Sequence, residues 1–174
     1  YYKNVGEEGL FRAFSEVIEQ VADDALKVYL YHIPPVSGVP LELSLVERLA
    51  EAYPNFVVGL KDSSGEWSYT ETLLRSHPKF QVFSGTEEFL RKNLIAGGCG
   101  TITAVANVNA SAIRVAYDNF QNDKGEENQL AITRRRKIIQ SQPMISALKS
   151  IIATITGDDN WRRVRPPLEP LSKG

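Results

Sequence analysis

Cysteine is almost missing from this sequence. Cys99 is the only one, so no disulfide can form within the chain, and a reduced, cytoplasmic setting is expected. Long apolar runs are missing as well: none approaches the roughly 20 residues that a membrane-spanning helix needs, and no secretory signal peptide is recognisable. The sequence therefore excludes a disulfide scaffold and predicts no membrane partner.

A surplus of either charge is also absent, because 20 Lys and Arg residues balance 21 Asp and Glu residues and leave a net charge of −1. A chain with this balance exerts no overall attraction on nucleic acid or on an anionic membrane surface. The basic run at residues 134–137 (RRRK) is interpreted as the solvated face of a helix, since a short run is weak evidence for nucleic acid. Nucleic acid is not predicted as a partner.

The signatures of several catalytic classes are missing too. No His, Cys or Asp cluster has the spacing of a metal site, no Ser stands in a nucleophile elbow, and no Walker loop occurs. Neither a metal nor a cofactor is therefore predicted. The sequence also lacks an initial Met, since it begins with YYKN and ends with PLSKG, and we expect it to be part of a longer protein.

What is present is a regular alternation of short apolar runs with amphipathic segments. Runs rich in β-formers predict strands over residues 27–33, 56–60, 80–83 and 98–104. Apolar residues three and four apart predict helices over residues 9–21, 43–52, 67–75, 87–95, 110–120, 125–140 and 143–155. This alternation predicts a parallel sheet in an α/β fold, either doubly wound or part of a closed barrel. The lack of a glycine-rich phosphate loop after the first strand favours the barrel.

The carboxyl end of each predicted strand carries a functional group, and this is where parallel α/β folds place their active sites. Lys61 follows the apolar run at residues 56–60 (FVVGL), an unusual place for a lysine without a purpose. Partial burial there disfavours the ammonium form and favours the nucleophilic amine, which imine formation with a ketone requires. The alternative is a lysine that pairs with Asp62 or extends out of the rim.

Other strand ends also offer candidates. Tyr31 ends the first strand, and its phenol can relay protons to a reacting carbonyl; the alternative is a half-buried rim aromatic. Glu87 and Glu88 open a predicted helix, where they serve either the helix dipole alone or the recognition of hydroxyl groups on a polyol substrate. His32 points away from Tyr31 on a strand and is interpreted as structural, as is Cys99.

Several segments together resemble one known family. Residues 31–38 (YHIPPVSG) resemble the Y-N-x-P-x-x-[ST]-G loop of the dihydrodipicolinate synthase/N-acetylneuraminate lyase superfamily, and residues 58–65 (VGLKDSSG) resemble its Schiff-base segment, G-x-K-[DEQ]-[ST]-x-G. Residues 97–108 resemble its eighth-strand segment, and residues 165–168 (RPPL) resemble its C-terminal tail. The resemblance implies the C-terminal half of a TIM (β/α)8 barrel, strands 5–8, in residues 1–122, with C-terminal helices in residues 123–174.

The resemblance also implies an activity and a set of site residues. It implies a Schiff-base-forming lyase (class I aldolase) that acts on pyruvate or a sugar-derived 2-oxo acid, by reversible aldol cleavage or by dehydration. Lys61 then forms the imine with the 2-oxo group, and Tyr31 shuttles protons. Tyr2 resembles the tyrosine that enters the proton relay of a neighbouring subunit, which implies a homodimer or homotetramer. The implied substrate-binding positions are Ser63, Gly85, Glu87, Glu88, Thr101 and the backbone near Ile102.

Two departures from the family pattern bear on the reaction. Synthases that make dihydrodipicolinate carry an Arg where Val36 stands here, and an apolar Val cannot hold a substrate carboxylate. This favours a lyase for a sugar-derived 2-oxo acid over 4-hydroxy-tetrahydrodipicolinate synthase, which stays an alternative. The family's Gly-Thr-Thr-Gly-Glu loop, which belongs to the first half of the barrel, is absent. A further alternative is therefore a non-catalytic half-barrel, whose unpaired strand edges would favour self-association.

Overall fold

The structure is a computed structural model that describes residues 2–171. The chain divides into two compact units, Tyr1–Ile102 and Thr103–Gly174. Among the described residues, the strands of the first unit are β1 (Val28–His32), β2 (Val57–Asp62), β3 (Gln81–Ser84) and β4 (Gly100–Thr101). Its helices are α1 (Glu7–Val21), α2 (Pro34–Ser37), α3 (Leu43–Ala52), α4 (Trp67–Ser76) and α5 (Leu90–Ile95), with a 3-10 turn at Glu87–Phe89. The second unit contains α6 (Ala106–Asp118), α7 (Gly125–Gln140), α8 (Met144–Thr156) and a 3-10 turn at Asp159–Arg162.

The four strands form one parallel sheet in the order β1-β2-β3-β4. Strands that follow one another in sequence are therefore neighbours in space, and the predicted α/β class is confirmed. The register places Tyr31 beside Lys61 and Lys61 beside Phe83. The side chains at the carboxyl ends of β1, β2 and β3 are thus brought to one edge of the sheet.

One face of the sheet is covered by helices and carries the core. Leu30, Leu60 and Val82 of the strands are at most 1% exposed and belong to one apolar cluster with Leu49 of α3 and Leu73 of α4. Removing a leucine side chain of this size from water contributes about 1.5–3 kcal/mol. The apolar sides of the helices therefore pack against this face of the sheet and stabilise it.

The opposite face of the sheet is more open within the first unit. Tyr29 and Tyr31 are 44% and 48% exposed, whereas Leu30 between them is 1% exposed, as expected from the two-residue period of a strand. The ring of Tyr29 meets that of Phe83 edge-on, with 5.9 Å between the ring centroids, and its hydroxyl is hydrogen-bonded to the side chain of Gln81. Side chains on this face are accessible to a small molecule.

Some predicted elements differ from the observed ones in extent. The strand predicted over residues 98–104 is reduced to β4, because the chain turns at Thr103, whose carbonyl accepts the Ala106 N–H (3.2 Å). The helix predicted over residues 87–95 begins as a 3-10 turn, since the side chain of Thr86 caps the N–H of Glu88. Helix α2 is not among the predicted elements, although its two prolines stand in its first turn, a position that proline favours.

The second unit is helical. Val105, Ile139, Ala147 and Leu148 form a buried cluster within it. The domain limit predicted after residue 122 falls inside this unit and stays a prediction about where the barrel segment ends. In residues 2–171, no helix combines the length and the apolar character that crossing a bilayer requires.

Candidate active site

Lys61 and Tyr31 form a contacting pair on the open face of the sheet. Because β1 and β2 are parallel and Tyr31 is the register partner of Lys61, their side chains leave the sheet side by side. The Nζ of Lys61 donates a hydrogen bond of 2.9 Å to the Oη of Tyr31 and lies 4.1 Å from the centroid of its ring. The sequence places a candidate nucleophile and a candidate proton carrier at two strand ends, and the fold brings their side chains into direct contact.

The contact with Lys61 changes the pKa of the Tyr31 phenol. The hydrogen bond from Lys61 lowers the pKa of Tyr31 below its ordinary value, burial opposes this effect, and a hydrogen bond from Ser63 and the charge of Lys61 lower the pKa further. A phenol with a lowered pKa gives up its proton more readily than an ordinary tyrosine does. Tyr31 is therefore suited to take and return a proton for a group that reacts beside Lys61.

Ser63 and Gly85 connect the ends of three strands around the pair. The N–H of Ser63 donates to the carbonyl of His32 at 2.7 Å, and the N–H of Gly85 donates to the carbonyl of Asp62 at 2.6 Å. A Cβ on Gly85 would lie 2.1 Å from the Oγ of Ser63, so only glycine fits there without displacing the serine. The two residues shape the site next to Tyr31, and their predicted contact with substrate stays a prediction.

The two predicted acidic residues differ in their surroundings. The side chain of Glu87 is fully buried, whereas that of Glu88 is partly exposed. Both begin the 3-10 turn, where the backbone N–H of Glu88 donates to Thr86 Oγ1 at 3.3 Å. Glu88 is thus the more accessible of the two, and hydroxyl recognition by either stays a prediction.

The third and fourth strands end at Ser84 and Thr101. The hydroxyl of Thr101 donates to the Ser84 carbonyl at 2.8 Å, and the N–H of Ile102 donates to the same oxygen at 3.0 Å. The Thr101 hydroxyl proton is thereby engaged, so its oxygen is left to accept a hydrogen bond from a ligand. The side chain of Ile102 is 47% exposed. Tyr2 is 78% exposed, and its predicted role in a neighbouring subunit stays a prediction.

A buried polar layer lies behind the pair and was missed at the level of sequence. Asp62 is 5% exposed and accepts hydrogen bonds from Thr70 Oγ1 (2.5 Å) and from the backbone N–H of Ser64 (2.9 Å). The considered pairing of Lys61 with Asp62 is not what the structure shows, because consecutive residues of a strand point to opposite faces. The signal for Thr70 is weak, since a threonine inside an amphipathic helix is usually read as surface. No group of three or more His, Cys, Asp or Glu side chains suited to hold a metal ion occurs among residues 2–171.

Comparisons with known proteins identify the family and the fold. The model of the dihydrodipicolinate synthetase family matches residues 1–174. An uncharacterised DapA-like lyase of Chloroflexus aurantiacus is 32% identical over 173 residues, which cover 99% of this chain and 57% of that protein. The crystal structure of dihydrodipicolinate synthase from Agrobacterium tumefaciens is 36% identical, with a TM-score of 0.87, over 99% of this chain and 58% of that one. A second crystal structure is that of YagE from Escherichia coli K12, a prophage protein solved in complex with pyruvate. It is 26% identical, with a TM-score of 0.86, and the match covers 99% of this chain and 59% of that one.

These matches also locate the chain within the larger fold. The chain spans somewhat more than half the length of these relatives. The structure corresponds to the C-terminal half of their TIM barrel, so the predicted fold is confirmed. With a family model that covers every residue and relatives above 30% identity, the chain belongs to the dihydrodipicolinate synthetase family.

Proposed function

We propose that this protein is a lyase that forms a Schiff base between Lys61 and a 2-oxo acid. The observation that supports this most directly is the 2.9 Å hydrogen bond from Lys61 Nζ to Tyr31 Oη at the carboxyl edge of a parallel sheet. Membership of the family supports a lyase, and the relative YagE was solved with pyruvate bound. Pyruvate is accordingly the simplest ligand for the site.

The proposed reaction uses the amine and the phenol in turn. Neutral Lys61 attacks the C2 carbonyl of the 2-oxo acid, and the phenol of Tyr31 protonates the leaving hydroxyl of the carbinolamine, which gives water, a protonated imine and the phenolate of Tyr31. Tyr31 takes the proton of the C4 hydroxyl while the C3–C4 bond breaks, and the electron pair of that bond moves toward the imine nitrogen. An aldehyde leaves, the enamine is protonated at C3, and water releases the shorter 2-oxo acid and Lys61.

The substrate is proposed to be a sugar-derived 2-oxo acid rather than aspartate semialdehyde. Val36, on helix α2, is 77% exposed and offers no group to hold a second carboxylate. Ser63, Glu88 and Thr101 would instead meet substrate hydroxyls near the pair. The 36% identity with the Agrobacterium synthase supports 4-hydroxy-tetrahydrodipicolinate synthase as the second candidate.

The complete site is proposed to need more than these residues. The chain matches somewhat more than half of its relatives' length, so the substrate carboxylate is proposed to be held by the other half of a barrel. We further propose a homodimer or homotetramer, in which Tyr2 reaches the proton relay of the neighbouring subunit. If the chain is instead a non-catalytic half-barrel, the following experiment would show it, because no adduct would form.

Borohydride trapping with pyruvate tests the proposal. Peptide mass spectrometry should find a reduced pyruvyl adduct on Lys61 in the wild type and none in Lys61→Ala. Lys92 provides a matched control, because its Nζ also lies against aromatic rings, 4.1 Å from the Phe89 centroid, and burial lowers the pKa of its ammonium group. Lys92→Ala should keep the adduct.

Two results would count against the proposal. An adduct on Lys92 and Lys61 alike would indicate nonspecific amine chemistry. No adduct with pyruvate or with larger 2-oxo acids, in a folded protein, would indicate that the fold has lost the reaction. If trapping succeeds, assays with aspartate semialdehyde and with sugar-derived 2-oxo acids separate the two candidate functions.

A further inference from the structure

We propose that His32 and Tyr69 form a clamp that positions the loop after β1, and that protonation of His32 opens the clamp and lowers activity at acid pH. The activity part of this inference rests on the proposed function, whereas the clamp itself does not. Both residues lie on the helix-covered side of the sheet, away from the Lys61–Tyr31 pair.

The clamp holds both backbone polar groups of one buried residue. The N–H of Leu41 donates to His32 Nδ1 at 3.0 Å, and the hydroxyl of Tyr69 donates to the Leu41 carbonyl at 2.6 Å. The two rings stack in parallel, with 4.1 Å between their centroids and 7° between their planes. Leu41 is 5% exposed, so water does not readily replace either bond.

The loop held in this way connects directly to the candidate site. It starts after His32, includes helix α2 with Val36, and ends at Leu41, just ahead of α3. The carbonyl of His32 also accepts the N–H of Ser63 at 2.7 Å. One residue therefore joins the loop after Tyr31 to the segment after Lys61, and a loosened clamp would disturb both.

The clamp works only while His32 is neutral. Since Nδ1 accepts a hydrogen bond, the neutral ring carries its proton on Nε2. A second proton would place an N–H of the ring against the N–H of Leu41, and the bond would be lost. Burial lowers the pKa of His32, while the charges of Asp62 on β2 and of Glu42 ahead of α3 oppose this. Tyr69 on α4 stays a neutral donor, because burial raises the pKa of its hydroxyl.

His32→Asn separates titration from packing. An asparagine carbonyl can accept the Leu41 N–H at nearly the position of Nδ1, but it does not titrate. The readout is deuterium exchange at C3 of pyruvate, which needs only the imine and the enamine. One pH unit below the pKa of His32, only about a tenth of the molecules keep the clamp closed. The rate of pyruvate exchange by the wild type should therefore have fallen about ten-fold further than the rate of His32→Asn.

Histidine C2 deuterium exchange, read by mass spectrometry, measures the pKa of His32 in the same protein. The sequence contains two histidines, and His77→Asn serves as the matched control because His77 lies far from the clamp in sequence, beside Glu47. We expect His32 to titrate below about 6.5, the acid loss of activity to follow it, and His77→Asn to keep that loss. A pKa of His32 at or above 6.5, or equal acid loss in wild type and His32→Asn, would overturn the proposal.

Failure of the proposed function can be distinguished from failure of the clamp. If the wild type exchanges pyruvate at no pH, the lyase proposal fails. The clamp is then judged by amide exchange of residues 33–42, which should lose protection on acidification in the wild type and keep it in His32→Asn. Equal protection in both proteins would show that no such clamp operates.

Discussion

Gly85→Ala is the substitution whose effect follows most directly from the structure. A Cβ at this position would lie 2.1 Å from Ser63 Oγ and 2.8 Å from both Ser63 Cβ and the Asp62 carbonyl. Rotation of the serine hydroxyl relieves the first contact, but the other two atoms are fixed by the backbone. The ends of β2 and β3 must therefore separate, which weakens the 2.6 Å bond between Gly85 N–H and the Asp62 carbonyl.

Overpacking of this kind costs about 1–3 kcal/mol, and a chain of this size loses roughly 2–4 °C in Tm for each kcal/mol. We expect the urea midpoint and the Tm to fall accordingly. The displaced Ser63 also ceases to donate to Tyr31, so the pKa of Tyr31 should rise and shift the pH profile of pyruvate exchange upward.

Gly9→Ala is the matched control for this change. Gly9 lies in helix α1, and nothing occupies the space around its missing Cβ within 4 Å. Alanine there should stabilise the protein by up to about 1 kcal/mol, because glycine is a poor helix former. If Gly85→Ala were as stable as the wild type, or changed stability in the same direction as Gly9→Ala, the reasoning about close contact would be refuted.

Three further predictions concern neighbouring groups. Tyr31→Phe should still be trapped by borohydride but should exchange pyruvate about 10²–10⁴-fold more slowly, since it lacks the proton carrier; an undiminished rate would remove Tyr31 from the mechanism. Thr70→Val should lower the free energy of unfolding by about 1.5–3 kcal/mol through loss of the buried bond to Asp62, whereas exposed Thr72→Val should change it little, as urea titration would reveal. Folding lowers the pKa of His32, so as the pH falls the unfolded chain binds a proton at this histidine before the folded chain does. The urea midpoint should therefore fall as the pH drops below about 6.5 and level off below the pKa of His32 in the folded protein. A midpoint independent of pH in this range would contradict the prediction.

The placement of Lys61 beside Tyr31 could be predicted from the sequence for a geometric reason. In a parallel sheet whose sequential strands pair, the last residues of successive strands meet at one edge, so Tyr31 and Lys61 could be placed together from strand ends alone. Contacts that depend on the direction of side chains across a loop could not be predicted in this way. Thr70 reaches Asp62 only because α4 folds back over β2, and the full burial of Glu87 depends on packing that no local pattern encodes.

The alternation of side chains along β1 and β2 explains why Asp62, the acidic residue next to Lys61, does not form an ion pair with it. A carboxylate in contact with the lysine would hold it as an ammonium ion and oppose attack on a carbonyl. Since consecutive residues face opposite ways, Asp62 points into the helix-covered layer and bonds Thr70, while Lys61 meets the phenol of Tyr31 on the open face. His32 and Asp62 are register partners on the covered face just as Tyr31 and Lys61 are on the open one. A shift of one residue in the register of either strand would exchange these roles and place the carboxylate in the site, so the pairing of β1 with β2 is itself a requirement of the proposed chemistry.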